Sequence, residues 1–600
     1  MKHSTFNRHP AHRTRLTLVC MLIAALAALM PAGAPDPALA QATVPVHYDA
    51  LNNIIYVGSD YNPADPYAGN PSHPLAPKTP ITIPQIATAL NNPALLQDQG
   101  GGAWLLKANM VISQTARLEA TKASIAWLRL DSTPGATFPA LTSMTARGGH
   151  LLIQDIKVTS WDGNNVDTNY YDGRSYLLAE SGGRMDIIRS DVSYLGWSAG
   201  EPSGLAWRLR AGYGGDAPVT PNNIKLGATG SILNSNIHHN YFGQYSFEAY
   251  GLRVLNNEFH DNVLYGFDPH DYSTGFEVAY NKIYNNGKHG IIFSRGCTLN
   301  RIHDNEVYGN AEHGIMLDRG SNVNQISNNI VYNNHDGVAI FQSEKNLVQG
   351  NTLHDNNVGV RVNATFDPTD VFDGLSTENT ILNNTIQNNL QYGIYLYERA
   401  DKNTIQGNSI TGNASAGVYI RTGGNLVKGN TINDNGDGIS IVGTDAVAPG
   451  GMPPAYDPGH KNVIQANTIE DNNDVGIQLQ GGIDTLIGLK ELSPNPADAN
   501  LIRTNGKHGI SFDATSMKNV VFGNTIHGNL SDGVTIKGPA TSQIVDSRNK
   551  ITRNSITANG RKGITVDPTA NRGIQKPTIT SAAGASVVTG TAAPNVTIEI

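Results

Sequence analysis

Residues 305–318 read NEVYGNAEHGIMLD, and residues 329–341 read NIVYNNHDGVAIF. Each stretch has one short apolar-alternating segment after an Asn and a second one after a Gly. Alternation over four to five residues, with β-branched residues at the inward positions, is typical of β-strands. The Asn and Gly residues between the segments mark corners of the chain. The pattern therefore predicts two or three short strands per repeat.

The repeat recurs at a nearly constant interval. Four asparagines follow one another at intervals of 24 residues: Asn257, Asn281, Asn305 and Asn329. Glycines keep the same interval and resume it after insertions: Gly266, Gly290, Gly314, Gly337, Gly359, Gly393, Gly417, Gly438, Gly476, Gly509, Gly533 and Gly563. A leucine-rich repeat has a similar period but needs a Leu framework that this sequence lacks. The repeat predicts an all-β fold, a parallel β-helix with one coil of roughly 22–24 residues per repeat.

The composition suits a solenoid and argues against a nucleic-acid partner. There are 63 Gly, 15% charged residues and 7% aromatic residues, as many tight turns and a thin aliphatic core require. The chain of 600 residues exceeds what one compact core usually supports, whereas a solenoid grows along one axis. The net charge is −8 and no basic stripe is present, so we expect no nucleic-acid partner.

The N-terminal segment has the pattern of an export signal. Basic residues precede an apolar run at 16–30, and Ala-Leu-Ala at 38–40 fits a small-x-small cleavage site. We expect residues 1–40 to be removed, no membrane span thereafter, and a periplasmic or secreted location. Cys20 leaves with the signal, so Cys297 stays alone and no intramolecular disulfide is expected.

Shifts in pattern divide the remaining chain into three regions. Residues 41–130 contain Pro/Ala-rich stretches and the helix-like ITIPQIATALNN, and we expect them to form the N-terminal cap. The β-helix is expected over 131–570. Residues 571–600 alternate like the start of a β-sandwich (immunoglobulin-like) module, which we expect to be cut short at the end of the sequence.

The coil containing VLYGFDPHDY concentrates the candidate chemistry. Residues one and three positions after each coil's Gly are mostly apolar and should point inward, so residues two and four positions after it should point outward. In this coil the outward residues are Asp268 and His270. Five positions after the Gly, successive coils carry Asp271, Arg295 and Arg319, which should stack about 4.8 Å apart. The pattern predicts a His, two Asp and two Arg on one outward face.

Other repeated positions have structural interpretations. The Asn columns should form stacked hydrogen-bonding ladders at the corners. His289 and His313 precede their glycines and either line a groove or face solvent; Asp336, Tyr392 and Asp437 in the same column favour a solvated face. The Asp/His groups lack a third and fourth ligand at conventional zinc spacing. The calcium-binding nonapeptide is also absent from the sequence, so we expect no metal.

The motifs around DPHD resemble a known family. The run YFGQYSFEAYGLRVLNNEFHDNVLYGFDPHDYS, with GKHGIIFSRG and IMLDRGSNVN after it, resembles the periplasmic mannuronan C5-epimerases of alginate biosynthesis. Upstream, WLLKANMVIS and SYLGWSAGEPSGLAWRL resemble the same family in the same order, so the resemblance covers roughly residues 100–440. It implies a right-handed parallel β-helix and an enzyme that converts β-D-mannuronate to α-L-guluronate within the polymer. The tail beyond about 440 departs from the family's pattern.

The resemblance also implies roles for individual residues. Abstracting the C5 proton beside a carboxylate requires a cation, a base on one face of the sugar and a proton donor on the other. The resemblance makes His270 the base and Arg295 the neutralising cation, with water or a hydroxyl as donor. Asp268 and Asp271 would orient the imidazole and hold sugar hydroxyls. Substrate-binding residues are expected at Arg319, Tyr245, Glu248, Lys288, His289, His313 and Arg361.

No cofactor is expected, because this proton transfer needs none and no nucleotide-binding fingerprint is present. The expected partner is polymannuronate or alginate, together with other exopolysaccharide assembly or export proteins. Two alternatives stay open. A polysaccharide lyase would share the first step and then expel the 4-O substituent. A non-catalytic polysaccharide-binding solenoid would rely on outward aromatic residues such as Tyr395 and Tyr419.

Overall fold

The computed structural model describes residues 44–58, 78–134, 141–198, 203–209, 227–365, 371–443, 460–540 and 544–574, and the backbone of two strands near the C-terminus. The expected export signal at 1–40 lies outside the described residues. Within the described residues, no helix has both the length and the apolar character needed to cross a membrane.

Three long β-sheets form the body of the protein, and each coil contributes one strand to each sheet in turn. The coil with the DPHD motif places Asp268–His270 in the first sheet, Glu277–Ala279 in the second and Lys282–Tyr284 in the third. The next coil returns to the first sheet at Ile291–Ser294. Neighbouring strands of these coils pair in parallel, one coil apart. Two N-terminal pairs are antiparallel instead: Val46–Asp49 with Ile54–Val57, and Leu96–Asp98 with Ala103–Leu106. The fold is the parallel β-helix that the repeat predicted.

We call the three sheets A, B and C. Sheet A consists of Val46–Asp49, Ile54–Val57, Asn109–Ile112, Ser143–Arg147, Tyr176–Glu180, Gly204–Arg208, Phe242–Phe247, Asp268–His270, Ile291–Ser294, Ile315–Asp318, Asp336–Phe341, Val358–Asn363, Tyr392–Leu396, Ala416–Ile420, Asp437–Val442, Ile477–Gln480, Ile510–Phe512, Val534–Ile536 and Ile564–Val566.

Sheet B consists of Thr79–Thr82, Ala116–Thr121, His150–Gln154, Arg184–Ile188, Thr229–Leu233, Arg253–Leu255, Glu277–Ala279, Arg301–His303, Gln325–Ser327, Leu347–Gln349, Thr380–Leu382, Thr404–Gln406, Leu426–Lys428, Val463–Gln465, Leu486–Gly488, Val520–Phe522 and Lys550–Thr552. Sheet C consists of Leu96–Asp98, Ala103–Leu106, Trp127–Asp131, Lys157–Trp161, Asp191–Ser193, Asn236–His238, Glu258–His260, Lys282–Tyr284, Glu306–Tyr308, Ile330–Tyr332, Thr352–His354, Thr385–Gln387, Ser409–Thr411, Thr431–Asn433, Thr468–Glu470, Leu501–Arg503, Thr525–His527 and Ser555–Thr557.

The N-terminal part contains the helix expected from ITIPQIATALNN, at Ile83–Leu90. It begins after Thr82, whose backbone N–H donates to Gln85 Oε1 at 2.8 Å, and its buried Ile83 and Ile86 join the core. Parallel pairing between coils is already present here, because Ile54–Val57 pairs with Asn109–Ile112. Coils therefore begin inside the region 41–130 that was expected to be a cap.

The core is a set of apolar columns between the three sheets. The positions one and three after the repeat Gly are buried in the coils up to Gly533, as the alternation predicted; examples are Ile291, Phe293, Ile315 and Leu317. In the last coil Ile564 is 43% exposed. Behind the DPHD strand the column becomes aromatic. Phe267, Phe276 and Phe293 are buried and in mutual contact, with ring centroids 6.0 to 6.4 Å apart. Each such ring stabilises the coil by about 1.5–3 kcal/mol through burial alone, which gives the DPHD strand a firm support.

Buried asparagine ladders join the coils, as the sequence predicted. The side-chain N–H of Asn305 donates to Asn329 Oδ1 and to the backbone carbonyl of Val278, both at 2.9 Å. Asn281 makes the corresponding bond to Asn305 Oδ1. The column continues through Asn351, Asn384, Asn408, Asn430, Asn467, Asn500, Asn524 and Asn554. These bonds fix each coil in register with the next.

Three short elements complete the fold. Two 3-10 helices lie at Pro496–Asp498 and Asn571–Gly573. Near the C-terminus, Thr578–Ser581 and Thr589–Thr591 pair in antiparallel fashion. The immunoglobulin-like module over 571–600 falls largely outside the described residues and stays a prediction.

Candidate active site

The candidate site lies on the outer face of sheet A. His270 pairs with Ser294, and Ser294 pairs with Asp318. The next residue in each coil therefore belongs to the column Asp271, Arg295 and Arg319. This is the register that counting from the glycines predicted.

A left-handed backbone turn ends the sheet A strand in each of these coils. The φ angles are 35° at Asp271, 62° at Arg295 and 47° at Arg319. L-residues with side chains seldom adopt this region. Backbone hydrogen bonds between coils hold the turns: Tyr272 N–H donates to the carbonyl of Arg295 at 2.8 Å, and Gly296 N–H donates to that of Arg319 at 2.8 Å. The three charged side chains therefore leave a similar turn, one above another.

A chain of charges connects two coils at the centre of the site. His270 Nδ1 contacts Asp271 Oδ2, and the other carboxylate oxygen of Asp271 lies 2.8 Å from Arg295 Nε. The Arg295 side chain is 31% exposed and that of His270 is 23% exposed. Because Asp271 holds Nδ1, the imidazole is fixed in orientation and Nε2 is the nitrogen that can exchange a proton with a substrate.

Asp268 lies beside this chain in a different environment. It is only 3% exposed, and its Oδ1 has no hydrogen-bond partner among the described residues. Burial raises the pKa of Asp268 to about 7; nearby Asp271 adds to the rise, while His270 and Arg319 oppose it. The neutral, protonated form of this carboxyl is therefore much more favoured than in an ordinary aspartate. A protonated Asp268 carries no negative charge. It therefore repels an anionic ligand less than an ionised carboxylate would.

Arg319 extends the positive charge by one coil. Its Nε lies 2.7 Å from Asp318 Oδ2, and its Nη2 donates to Ser294 Oγ at 2.9 Å. Ser294 also donates to Asp318 at 3.0 Å. Ser294 and Asp318 were missed in the sequence, although they occupy the position of His270 in the next two coils. Counting the outward positions there would have found them.

Tyr245 and Glu248 lie on the coil before His270. Tyr245 pairs in register with Asp268, and its ring centroid is 6.1 Å from that of His270. Burial raises the pKa of Tyr245 well above its ordinary value, so its phenol stays neutral. Glu248 is only 1% exposed, and its backbone N–H donates to the carbonyl of Asp271 at 2.7 Å. The pairing of Phe247 with His270 and the φ of 49° at Glu248 place this residue one coil before Asp271 in the same column of left-handed turns.

A column of stacked rings forms one side of the site. The ring of His289 stacks on Tyr265 and on His313, at centroid distances of 5.3 and 5.1 Å. Lys288 lies beside the same column, with Nζ 5.8 Å from the centre of the Tyr265 ring. Burial, and secondly the charge of His313, lowers the pKa of His289 to about 3. His289 is therefore a neutral imidazole at ordinary pH.

The expectation of a solvated face is wrong for two members of this column. His289 is 7% exposed and Asp336 is fully buried. Tyr265 covers His289, and Arg361 covers Asp336 through two bonds of 2.8 and 3.1 Å. Sequence alternation alone does not show which outward residues are covered by side chains from neighbouring coils.

His313, His335 and Asp336 bring potential metal-ligand atoms within 4.8 Å of one another. The spacing of these residues in the sequence is not that of a conventional zinc site, so the sequence did not predict this group. However, Arg361 already binds both carboxylate oxygens of Asp336, and His313 Nδ1 lies 3.0 Å from one of them. A metal ion would have to displace the guanidinium, so this donor set fits the arginine better than a metal ion.

Arg361 does not meet the chain of His270, Asp271 and Arg295. Its strand is four strands beyond that of His270 in sheet A, or about 19 Å at roughly 4.8 Å per strand. Between the two lies a small buried apolar cluster at outward positions of the strands, made of Ile292, Met316 and Ala339 and flanked by Tyr265 and Phe341. The sequence pattern did not predict this cluster, because outward positions were expected to be polar.

Comparison with known proteins supports both the fold and the family resemblance. Residues 371–546 and 498–599 match the family described as right handed beta helix region, and residues 216–373 match periplasmic copper-binding protein (NosD). The crystal structure of the periplasmic alginate epimerase AlgG is similar with a TM-score of 0.50 and 22% identity, over 60% of this chain and 81% of that one. The fold is thus the right-handed parallel β-helix that the resemblance implied.

Curated relatives at higher identity carry one activity in their names. Mannuronan C5-epimerase AlgG of Azotobacter vinelandii is 33% identical over 262 residues, which is 42% of this chain and 47% of that protein. Mannuronan C5-epimerase of Pseudomonas fluorescens is 30% identical over 209 residues, which is 33% of this chain and 36% of that protein. The chain therefore spans about a third to a half of the length of these relatives. The resemblance drawn from the DPHD and GKHGIIFSRG motifs is confirmed.

Proposed function

We propose that this protein is a mannuronan C5-epimerase, acting on polymannuronate by abstracting the C5 proton and returning it on the opposite face. The observation that carries the proposal is the partly exposed His270–Asp271–Arg295 chain on the outer side of sheet A. It combines a base, a group that orients the base, and a cation. Similarity to curated mannuronan C5-epimerases supports this choice of substrate.

His270 would act as the base through Nε2. Its contact with Asp271 through Nδ1 sets the tautomer and stabilises the imidazolium that forms when the C5 proton is taken. The buried aromatic cluster behind the strand keeps the imidazole in place. His270 and Arg295 are 23% and 31% exposed, so a ligand can reach both side chains.

Arg295 would neutralise the uronate carboxylate and the negative charge that develops on it during proton removal. Because this charge grows in the transition state, a fixed cation stabilises the transition state more than the ground state. Asp271 holds the guanidinium one coil from His270. Arg319 would contact the carboxylate of a neighbouring sugar, and Tyr245 would border the reacting ring. Water or a hydroxyl group would return the proton.

The substrate would lie along sheet A across several coils. Strands spaced at about 4.8 Å give a track from His270 to the Arg361 coil of about 19 Å, comparable to about four uronate units. An enzyme of this design acts within a polymer and turns over monomers and dimers poorly, because remote sugars contribute binding energy. The family resemblance and the N-terminal signal pattern favour a periplasmic protein that works alongside polysaccharide assembly or export proteins.

Polymannuronate incubated with the protein in heavy water tests the proposal. Deuterium at C5 in an unbroken polymer, with guluronate formed, is the expected result. New unsaturated chain ends would instead identify a lyase. Absence of both exchange and cleavage, with the polymer still bound, would identify a binding protein.

A further inference from the structure

Four tyrosines and two arginines form a patch on the outer face of sheet A, beyond the candidate active site. The patch, called here the tyrosine platform, consists of Tyr392, Tyr395, Tyr397, Tyr419, Arg361 and Arg421. All six side chains are partly exposed. They lie on three consecutive coils, whose sheet A strands are Val358–Asn363, Tyr392–Leu396 and Ala416–Ile420. Tyr397 and Arg421 directly follow the second and third of these strands.

The rings of the tyrosine platform contact one another without stacking flat. Tyr395 and Tyr419 meet edge to face at 5.4 Å and 74°, and Tyr392 lies 4.6 Å from Tyr419 at 35°. This differs from the ladder on sheet C, where Tyr284, Tyr308 and Tyr332 stack within 3–5° of parallel. In the parallel ladder each ring face is covered by the next ring. In the tyrosine platform the rings are tilted against one another, and all four stay partly exposed.

Both arginines are held against these rings. Arg361 lies 5.2 Å from the centre of the Tyr395 ring and is anchored by Asp336. Arg421 lies 4.8 Å from the centre of the Tyr397 ring, and its charge opposes the rise that burial causes in the pKa of Tyr395. Aromatic faces bind the C–H faces of sugar rings, and guanidinium groups bind carboxylates. The combination suits an acidic polysaccharide better than a neutral one.

The tyrosine platform is in line with the candidate active site. The outward column that begins at Asp268 continues through Ile292, Met316, Ala339 and Arg361 to Tyr395 and Tyr419. Tyr395 and Tyr419 are five and six strands beyond His270, or about 24 and 29 Å at about 4.8 Å per strand. One polymer chain lying along sheet A can reach both.

We propose that the tyrosine platform is a distal subsite that holds the same acidic polysaccharide chain about five to six sugars from His270. It would keep a long chain attached while the reacting sugar changes. This inference rests on the proposed function for the identity of the polymer. Its predicted consequence is a dependence on chain length that the catalytic residues alone do not produce.

Turnover of oligomannuronates of about four and about ten units tests this, since only the longer chain spans the distance to the platform. The ratio of kcat/KM for the long chain to that for the short chain should fall about tenfold in a Tyr395→Ala/Tyr419→Ala variant. The matching Phe variant should keep most of the ratio, because the ring faces remain. Tyr308→Ala, which removes a tyrosine from the sheet C ladder, serves as control and should keep the wild-type ratio. An unchanged ratio in the double Ala variant would overturn the proposal.

Calorimetric binding separates this inference from the proposed function, because it needs no turnover. In a His270→Asn background, the double Ala variant and Arg421→Ala should each bind polymannuronate about tenfold more weakly than the background protein. Weaker binding without any epimerisation by the wild type would support the platform and reject the function. Epimerisation by the wild type with unchanged binding by the variants would support the function and reject the platform. Equal affinity for a neutral β-1,4-linked glucan would overturn the assignment to an acidic polymer.

Discussion

Replacing Asp268 with Asn should change how the stability of the protein depends on pH. The carboxyl is buried, and burial is the main cause that raises its pKa to about 7 from an ordinary 3.8. The folded state therefore prefers the protonated form. The stabilisation linked to that proton is fully present below about pH 4 and is lost as the pH rises through about 7.

The size of the effect follows from the same values. A rise in pKa from 3.8 to about 7 corresponds to roughly 4 kcal/mol at 1.36 kcal/mol per pKa unit. Asn has nearly the same shape and cannot ionise. We therefore expect the free energy of unfolding of the wild type, relative to Asp268→Asn, to fall by a few kcal/mol between pH 4 and pH 8.

Denaturant unfolding followed by circular dichroism at a series of pH values measures this difference. Subtracting the two curves removes the contributions of all other titrating groups. Asp471→Asn, at an exposed turn, controls for the change in net charge. Parallel pH profiles for wild type and Asp268→Asn would show that Asp268 ionises normally, and the account of a protonated carboxyl beside His270 would then be wrong.

Three further outcomes are expected. Arg295→Lys should lower kcat at least about 100-fold, because Lys loses the planar guanidinium, while Arg319→Lys should cost less than about tenfold; equal losses would contradict the assigned geometry. Burial lowers the pKa of His289 to about 3, so the stabilisation linked to its neutral form is lost as the pH falls from about 6.5 towards 3. The free energy of unfolding of His289→Gln, measured by denaturant unfolding, should therefore fall less over that pH range than that of the wild type. Asn305→Ala should lower the free energy of unfolding by about 3 kcal/mol or more, since it leaves buried partners of the ladder unpaired, whereas exposed Asn473→Ala should change it little.

The regular coils could be predicted because their physics is local and repeated. Each Asn of the ladder bonds to neighbouring coils, and the repeat Gly residues from Gly266 to Gly533 lie where a side chain would strike the next coil. A Cβ on Gly290, for example, would lie 2.8 Å from the carbonyl oxygen of Gly314. Such positions keep their spacing in the sequence, so the register that brings Asp271 and Arg295 together follows from counting.

The remaining features depend on side chains that reach across coils. Nothing in the alternation shows that Arg361 covers Asp336, or that Tyr265 covers His289. The pairing of Arg295 with Asp271 likewise depends on a side-chain conformation that spacing does not specify. In the N-terminal coils the asparagine and glycine spacing is absent, so their parallel pairing, as at Ile54–Val57, could not be read from the repeat.

The most direct test of the central claim is C5 deuterium incorporation into polymannuronate by three proteins: wild type, His270→Asn and His303→Asn. His303 is a suitable control because it also contacts the aspartate that follows it, Asp304, but lies on sheet B. We expect deuterium exchange at C5 by the wild type and by His303→Asn. For His270→Asn we expect the rate of exchange to fall by a factor of about 10²–10⁴. Exchange by folded His270→Asn at more than a tenth of the wild-type rate would contradict the assignment of His270 as the base.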